Sequence, residues 1–305
     1  MERVRTPDER FANLPDFDFD PVYTAVGDPT GGDELRVAYL DEGPDDGDVV
    51  LLLHGEPSWS FLYRFMIPVL VGEGHRVIAP DLVGFGRSDK PSHREDHTYA
   101  RHVEWMRELL FDRLALNDVT LFAQDWGSLI GLRVVGEHPE HFARVAIGNG
   151  GLPTGEERIS DAFLFWQEYS QTTPDFHVGG IVSGGCVNRL SPEVVAGYDA
   201  PFPDDTFKEG ARQFPLLVPT SRDDPAHDAN VAAWGVLRNF AKPFHCCFSD
   251  GDPITKGADQ KFLAEVPGTK GQAHVVIEGA GHFLQEEKGP ELARVLNLFI
   301  AANPT

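Results

Sequence analysis

Cysteine, basic residues and long apolar runs are all scarce in this 305-residue chain. The three cysteines are Cys186, Cys246 and Cys247, an odd and sparse set. That argues against a disulfide framework and suits a reducing compartment, so a cytoplasmic location is expected. No two are spaced as a zinc site requires. Cys246-Cys247 lies in an apolar run, where cysteine acts as a small buried hydrophobe. Apolar runs such as Val49-Val50-Leu51-Leu52-Leu53 are far too short to cross a bilayer. The opening Met1-Glu2-Arg3-Val4-Arg5-Thr6-Pro7-Asp8 has no apolar segment, so no signal peptide is expected. Lys+Arg number 26 against 48 Asp+Glu, a net charge of −22. Such a surface repels phosphate backbones and anionic lipid, so neither nucleic acid nor membrane is an expected partner. Lysine is scarcest, 7 against 19 Arg, which reads either as adaptation to high salt or as compositional drift.

What is present belongs to an ordinary folded chain. Apolar residues make up 41% and charged residues 24%, which excludes a disordered polymer. Short apolar runs alternate with longer amphipathic stretches, the pattern of βαβ units around a mostly parallel sheet. Strands are expected at 37–40, 49–53, 76–79, 119–123, 144–147, 244–248 and 274–277. Helices are expected at 61–72, 100–114, 128–137, 258–265 and 290–301. The alternation lapses over 152–222, where Pro174, Pro192, Pro201, Pro203, Pro215 and Pro219 break up helical pieces rich in aromatics. The expected organisation is an α/β core over 1–151 and 223–305 with an inserted helical cap over 152–222.

Three residues in chain order carry the chemistry. Ala123-Gln124-Asp125-Trp126-Gly127 joins a strand to a helix with a small residue on either side of Asp125, the pattern of a nucleophile elbow. A helix N-terminus there favours an anion. Asp252, in Asp250-Gly251-Asp252-Pro253, follows a late strand, and His282, in Gly279-Ala280-Gly281-His282-Phe283, follows the last. The order nucleophile, acid, histidine is that of α/β-hydrolases, and the carboxyl ends of parallel strands form a common crevice. Asp250 is the rival acid. An early strand ends in His54-Gly55-Glu56-Pro57, where the N–H of Glu56 can join that of Trp126 in an oxyanion hole. His54 is read as a support for that turn, and Glu56 as either a supporting acid or a polar turn residue.

A carboxylate nucleophile narrows the reaction. Attack on an acyl carbon would give an unproductive anhydride. Attack on an sp3 carbon displaces a leaving group and leaves an alkyl ester that water can cleave. An aspartate needs no base to ionise it near neutral pH, which frees His282 to activate that water, with Asp252 orienting the imidazole. The leaving group is then a halide or an epoxide oxygen. Indole N–H groups suit a halide, because they donate and cannot accept. Trp126 and Trp166 are the candidates, and Trp59, Trp105 and Trp234 are read as structural. An epoxide would need a proton donor, for which Tyr169 and Tyr198 are the cap tyrosines.

Taken together, 54–60, Gly84-Phe85-Gly86-Arg87-Ser88-Asp89-Lys90-Pro91, Gln124-Asp125-Trp126-Gly127 and Tyr198-Asp199-Ala200-Pro201-Phe202-Pro203 resemble the haloalkane dehalogenases, most closely subfamily I. Arg5-Thr6-Pro7-Asp8 to Asn13-Leu14-Pro15-Asp16 adds to the resemblance. It implies an α/β-hydrolase core with a helical cap, no cofactor and no metal. By the same resemblance Asp125 is the nucleophile, His282 the base and Asp252 the acid, with Trp126 and Trp166 binding halide. The implied reaction converts a small 1-haloalkane and water to a primary alcohol, halide and a proton. Fluoroacetate dehalogenases carry arginines beside the nucleophile. Here Trp126-Gly127-Ser128 follows it, so haloacids are not expected substrates. An epoxide hydrolase and a non-catalytic ligand receptor on the same fold are the alternatives. A homo-oligomer is left open.

Overall fold

In the computed structural model, which describes residues 1–29 and 31–305, eight strands form one twisted sheet. They are β1 (Val22–Val26), β2 (Leu35–Glu42), β3 (Val49–Leu53), β4 (Arg76–Pro80), β5 (Val119–Asp125), β6 (Phe142–Gly150), β7 (Phe244–Ser249) and β8 (Val275–Ile277). Their spatial order is β8-β7-β6-β5-β3-β4-β2-β1. Every pair from β4 to β8 is parallel, and β2 pairs antiparallel with both β4 and β1. The central strands are unbroken apolar runs because helices cover both faces of the sheet. Leu51, Leu52, Leu53, Leu121, Phe122 and Ile147 are all completely buried.

The helices are α1 (Ile67–Gly72), α2 (Tyr99–Arg107), α3 (Trp126–Glu137), α4 (Asp161–Thr172), α5 (Val178–Gly184), α6 (Pro192–Asp199), α7 (Glu209–Leu217), α8 (His227–Leu237), α9 (Asp259–Glu265) and α10 (Leu284–Ala302). Between β6 and α8 the chain makes only helices and turns. The strand order reverses at β3, with β4 on one side and β5 on the other. Such a switch point opens a crevice at the carboxyl ends of the strands.

Several sequence expectations shift in detail. The helix expected over 61–72 divides into a 3-10 turn, Ser60–Tyr63, and α1, which begins only where Pro68 can occupy a first turn that needs no N–H. The stretch 100–114 is helical, but α2 widens into a π-helical turn at Glu108–Arg113. The final helix starts at Leu284 rather than 290 and kinks at Lys288, just before Pro290. The edge strand β1 and helix α8 were not anticipated.

Candidate active site

Asp125 sits at the junction of β5 and α3 with φ 50° and ψ −128°, a backbone strained for a non-glycine residue. The elbow is crowded on both sides. A Cβ on Gly127 would lie 2.1 Å from the Leu53 carbonyl oxygen, and one on Gly55 would lie 2.4 Å from the Asp125 Cβ. The chain must therefore be bare at both positions if β3 and β5 are to bring Glu56 and Asp125 together.

The two oxygens of Asp125 face different partners. Oδ1 accepts the backbone N–H of Glu56 at 2.8 Å. Oδ2 lies 3.4 Å from Nε2 of His282. The other ring nitrogen, Nδ1, is 3.0 Å from Oδ2 of Asp252. His282 and Asp252 are both buried, and Asp252 also accepts the Ile254 N–H and the Thr255 hydroxyl. Burial alone would raise the Asp252 pKa, but the His282 charge and these hydrogen bonds hold it down at about 2. Burial likewise opposes the imidazolium, yet Asp252 and Asp125 together push His282 up to about 10. The three residues anticipated from the sequence thus converge. Asp250 does not join them: it is exposed and accepts the N–H of Gly279.

Gln124 and Asn149 carried no separable sequence signal. The Gln124 amide nitrogen lies 3.0 Å from Nε2 of His282, in reach to donate to it whenever the imidazole is neutral. Asn149, at the end of β6, donates to the carbonyls of Gly281 and His282 and accepts the Ser249 N–H. It fastens the histidine loop to the sheet. His54 accepts the Leu82 N–H on Nε2, with Nδ1 2.9 Å from the Gly55 carbonyl, so it braces the turn. Glu56 is almost fully buried and its Oε1 has no hydrogen-bond partner. Burial, then the nearby Asp125 charge, push its pKa well above the carboxylate range, against the pull of His282 and a hydrogen bond from Trp166.

A cavity of about 1160 Å³ opens above these groups, lined by Asp125, His282, Glu56, Trp126 and Trp166 among others. Trp126 is held rigidly, with Tyr99 edge-on at 5.1 Å and Phe214 at 4.5 Å. Among the described residues its indole N–H has no partner. Trp166 reaches the cavity from α4. Trp59 and Trp234 donate to backbone carbonyls, and Trp105 is a buried residue of α2. Of the two cap tyrosines, Tyr169 lines the cavity. Tyr198 is buried elsewhere with its hydroxyl 2.5 Å from Glu286. A matched pair of phenolic donors for an epoxide oxygen is thus not assembled among the described residues. No cluster among them could hold a metal ion, and no helix is long and apolar enough to cross a membrane.

Comparison with known proteins gives the family and the fold. Residues 48–289 match the family model described as alpha/beta hydrolase fold. The chain is 59% identical over 304 residues to a haloalkane dehalogenase of Psychrobacter cryohalolentis, covering the whole of both chains. It is 51% identical to a haloalkane dehalogenase of Mycobacterium marinum, covering 96% of this chain and 98% of that one. Among solved structures, the tetrameric haloalkane dehalogenase DpaA of Paraglaciecola agarilytica superposes with a TM-score of 0.88 at 35% identity, covering 96% of this chain and 97% of that one.

Proposed function

Since the chain belongs to the haloalkane dehalogenases, α/β-fold hydrolases acting on carbon–halide bonds, we propose that Asp125 is the nucleophile that displaces halide from a small haloalkane. The observation that carries this reading is the split environment of its carboxylate. Oδ1 rests on the Glu56 N–H, and Oδ2 is left facing His282 and the cavity. Oδ2 attacks the halogen-bearing carbon from behind, the carbon–halogen bond breaks with its electron pair, and an alkyl ester of Asp125 forms. The indole N–H groups of Trp126 and Trp166 receive the departing halide.

The ester leaves Oδ1 as its carbonyl oxygen, already seated on the Glu56 N–H, with the Trp126 N–H as second donor as charge develops there. Water adds to Cγ and gives one proton to Nε2 of His282, and Asp252 stabilises the resulting imidazolium. As the tetrahedral intermediate collapses, the alcohol oxygen leaves with the remaining water proton and the Asp125 carboxylate is restored. His282 then releases its proton to solvent. The net products are alcohol, halide and one proton.

Alkylation also tunes the base. While Asp125 is charged it supports the imidazolium; once esterified it does not, and His282 becomes a free base when water needs one. In this reading 152–222 is a cap over a core of 1–151 and 223–305, and α4 brings Trp166 to the halide. A homo-oligomer, as in the Paraglaciecola relative, is testable by light scattering. The deciding experiment for the mechanism uses His282→Phe, incubated with 1,2-dibromoethane and analysed by peptide mass spectrometry. One equivalent of bromide and a bromoethyl group on Asp125 are expected. Release of alcohol at the normal rate would overturn the assignment.

A further inference from the structure

The lining of the cavity includes two exposed basic side chains without a carboxylate partner. In a chain of net charge −22, most arginines and lysines are engaged by carboxylates or carbonyls. Arg158 and Lys256 are not: both line the cavity, both are exposed, and among the described residues neither has a hydrogen bond or ion pair. They stand on neighbouring loops, after β6 and after β7, which are tied by the Ser160 hydroxyl on the Ile254 carbonyl. Among the described lining residues the one carboxylate besides Glu56 and Asp125 is Glu157, and it is already occupied. It accepts Lys261 at 2.6 Å and the Thr154 N–H at 2.8 Å. Deeper in the cavity, Glu56 is buried with its N–H on Asp125, and Asp125 is the reacting group. The rim therefore presents two uncommitted positive charges above mostly apolar walls, including Leu129, Phe163 and Val218.

Cavity size gives those charges a use. At about 1160 Å³ the space exceeds the range of roughly 300–1,000 Å³ usual for small-molecule sites, far more than a two- or three-carbon halide needs. A longer chain with its halogenated carbon at Asp125 would lay its methylenes along the apolar walls and its far end between Arg158 and Lys256. We propose that this rim recognises an anionic group at the far end of the substrate, so that the preferred class is an ω-haloalkanoate rather than a neutral haloalkane. This proposal rests on the dehalogenase reading of Asp125. It differs from haloacid chemistry of the fluoroacetate kind, because the carboxylate lies many bonds from the reacting carbon and needs no arginine beside the nucleophile. The acidic body of the protein repels anions at long range, so a local positive mouth is what would admit one.

The test compares 8-bromooctanoate with 8-bromo-1-octanol, following bromide release by the wild type and Arg158→Gln/Lys256→Gln. The wild type should show the lower KM for the acid. The double variant should raise that KM by roughly five- to tenfold and leave the alcohol's KM and both kcat values unchanged. High salt should erase the wild-type preference, because the rim is exposed to screening. Arg158→Glu/Lys256→Glu should invert it. An unchanged KM for the acid, or equal changes for both substrates, overturns the proposal. A fall in kcat for both would instead assign the rim to halide release. Octanoate binding, read by quenching of indole fluorescence, reports on the rim without turnover. If neither 8-bromooctanoate nor 8-bromo-1-octanol is hydrolysed but octanoate still binds in a charge-dependent way, the dehalogenase reading fails and the rim survives.

Discussion

Nε2 of His282 lies 3.4 Å from Oδ2 of Asp125, while Nδ1 of the same ring lies 3.0 Å from Asp252. The imidazole is thus held between two carboxylates, one of which the reaction would consume. Asp252 holds the ring's tautomer throughout, and Asp125 supports its charge only until alkylation. That asymmetry sets the first expectation.

In the free enzyme the His282 imidazolium should titrate near about 10 by NMR of the ring. Hydrolysis of the ester in a single-turnover experiment should show an acid limb at least about one unit lower, since a neighbouring charge has gone. Coincident values would remove Asp125 as the source of the shift. The sign for stability follows from the same pair. The His282 pKa is raised above the ordinary histidine value, so its contribution is complete below about 6.5 and is lost as pH rises through about 10. The Asp252 pKa is depressed, so its contribution is complete above about 3.9 and is lost as pH falls through about 2. Thermal unfolding across pH should show both edges, and Asp252→Asn should remove the acid one.

Asp252→Asn should also lower steady-state halide release by about a thousandfold or more, through loss of the tautomer and of imidazolium stabilisation. Asp250→Asn should leave it essentially unchanged, because Asp250 only accepts the Gly279 N–H at the surface. Equal losses in the two variants would mean that the loop, not the carboxylate, is what matters.

Halide affinity tests the two indoles. Phenylalanine keeps the packing of Trp166 against Tyr169 and Phe176 but removes the donor. Trp166→Phe should weaken bromide binding by about tenfold, the usual worth of a hydrogen bond to a charged group. Bromide quenching of the remaining indole fluorescence measures it, and an unchanged Kd would take Trp166 out of the site.

The sequence made the site's skeleton readable for a physical reason. Elbow, acid and histidine each lie just past a strand, and a parallel sheet sends all such ends to one edge, so order and position fix convergence without any tertiary knowledge. Interior strands such as Val49–Leu53 were readable because burial on both faces demands an apolar run. The edge strand β1 was not, since Val22 and Tyr23 are substantially exposed and the segment lacks that signature. Helix α8 escaped because its composition is apolar almost all round, with no clear polar face. Nor could the sequence separate Asp252 from Asp250, two residues apart: the distinction is one of burial and of who donates to each. The raised pKa of Glu56 was equally hidden, because it comes first from burial at the cavity floor and then from the Asp125 charge.

Glu56 supplies the last prediction. Its backbone N–H binds Asp125, while its side chain is buried with Oε1 lacking a partner. A charged carboxylate there would oppose both the Asp125 nucleophile and a departing halide at close range. If the side chain is uncharged, a neutral amide of the same shape reproduces it. Glu56→Gln should then retain kcat/KM within a few-fold and stay as stable as the wild type, with the Glu56 N–H still on Asp125. Glu56→Ala should lose stability through the cavity it leaves, and Glu56→Lys should abolish folding or activity by burying an unpaired charge. Halide release and thermal unfolding on the three variants decide it. A loss of a hundredfold or more in the glutamine variant, at unchanged stability, would mean that the carboxyl group itself takes part in proton transfer.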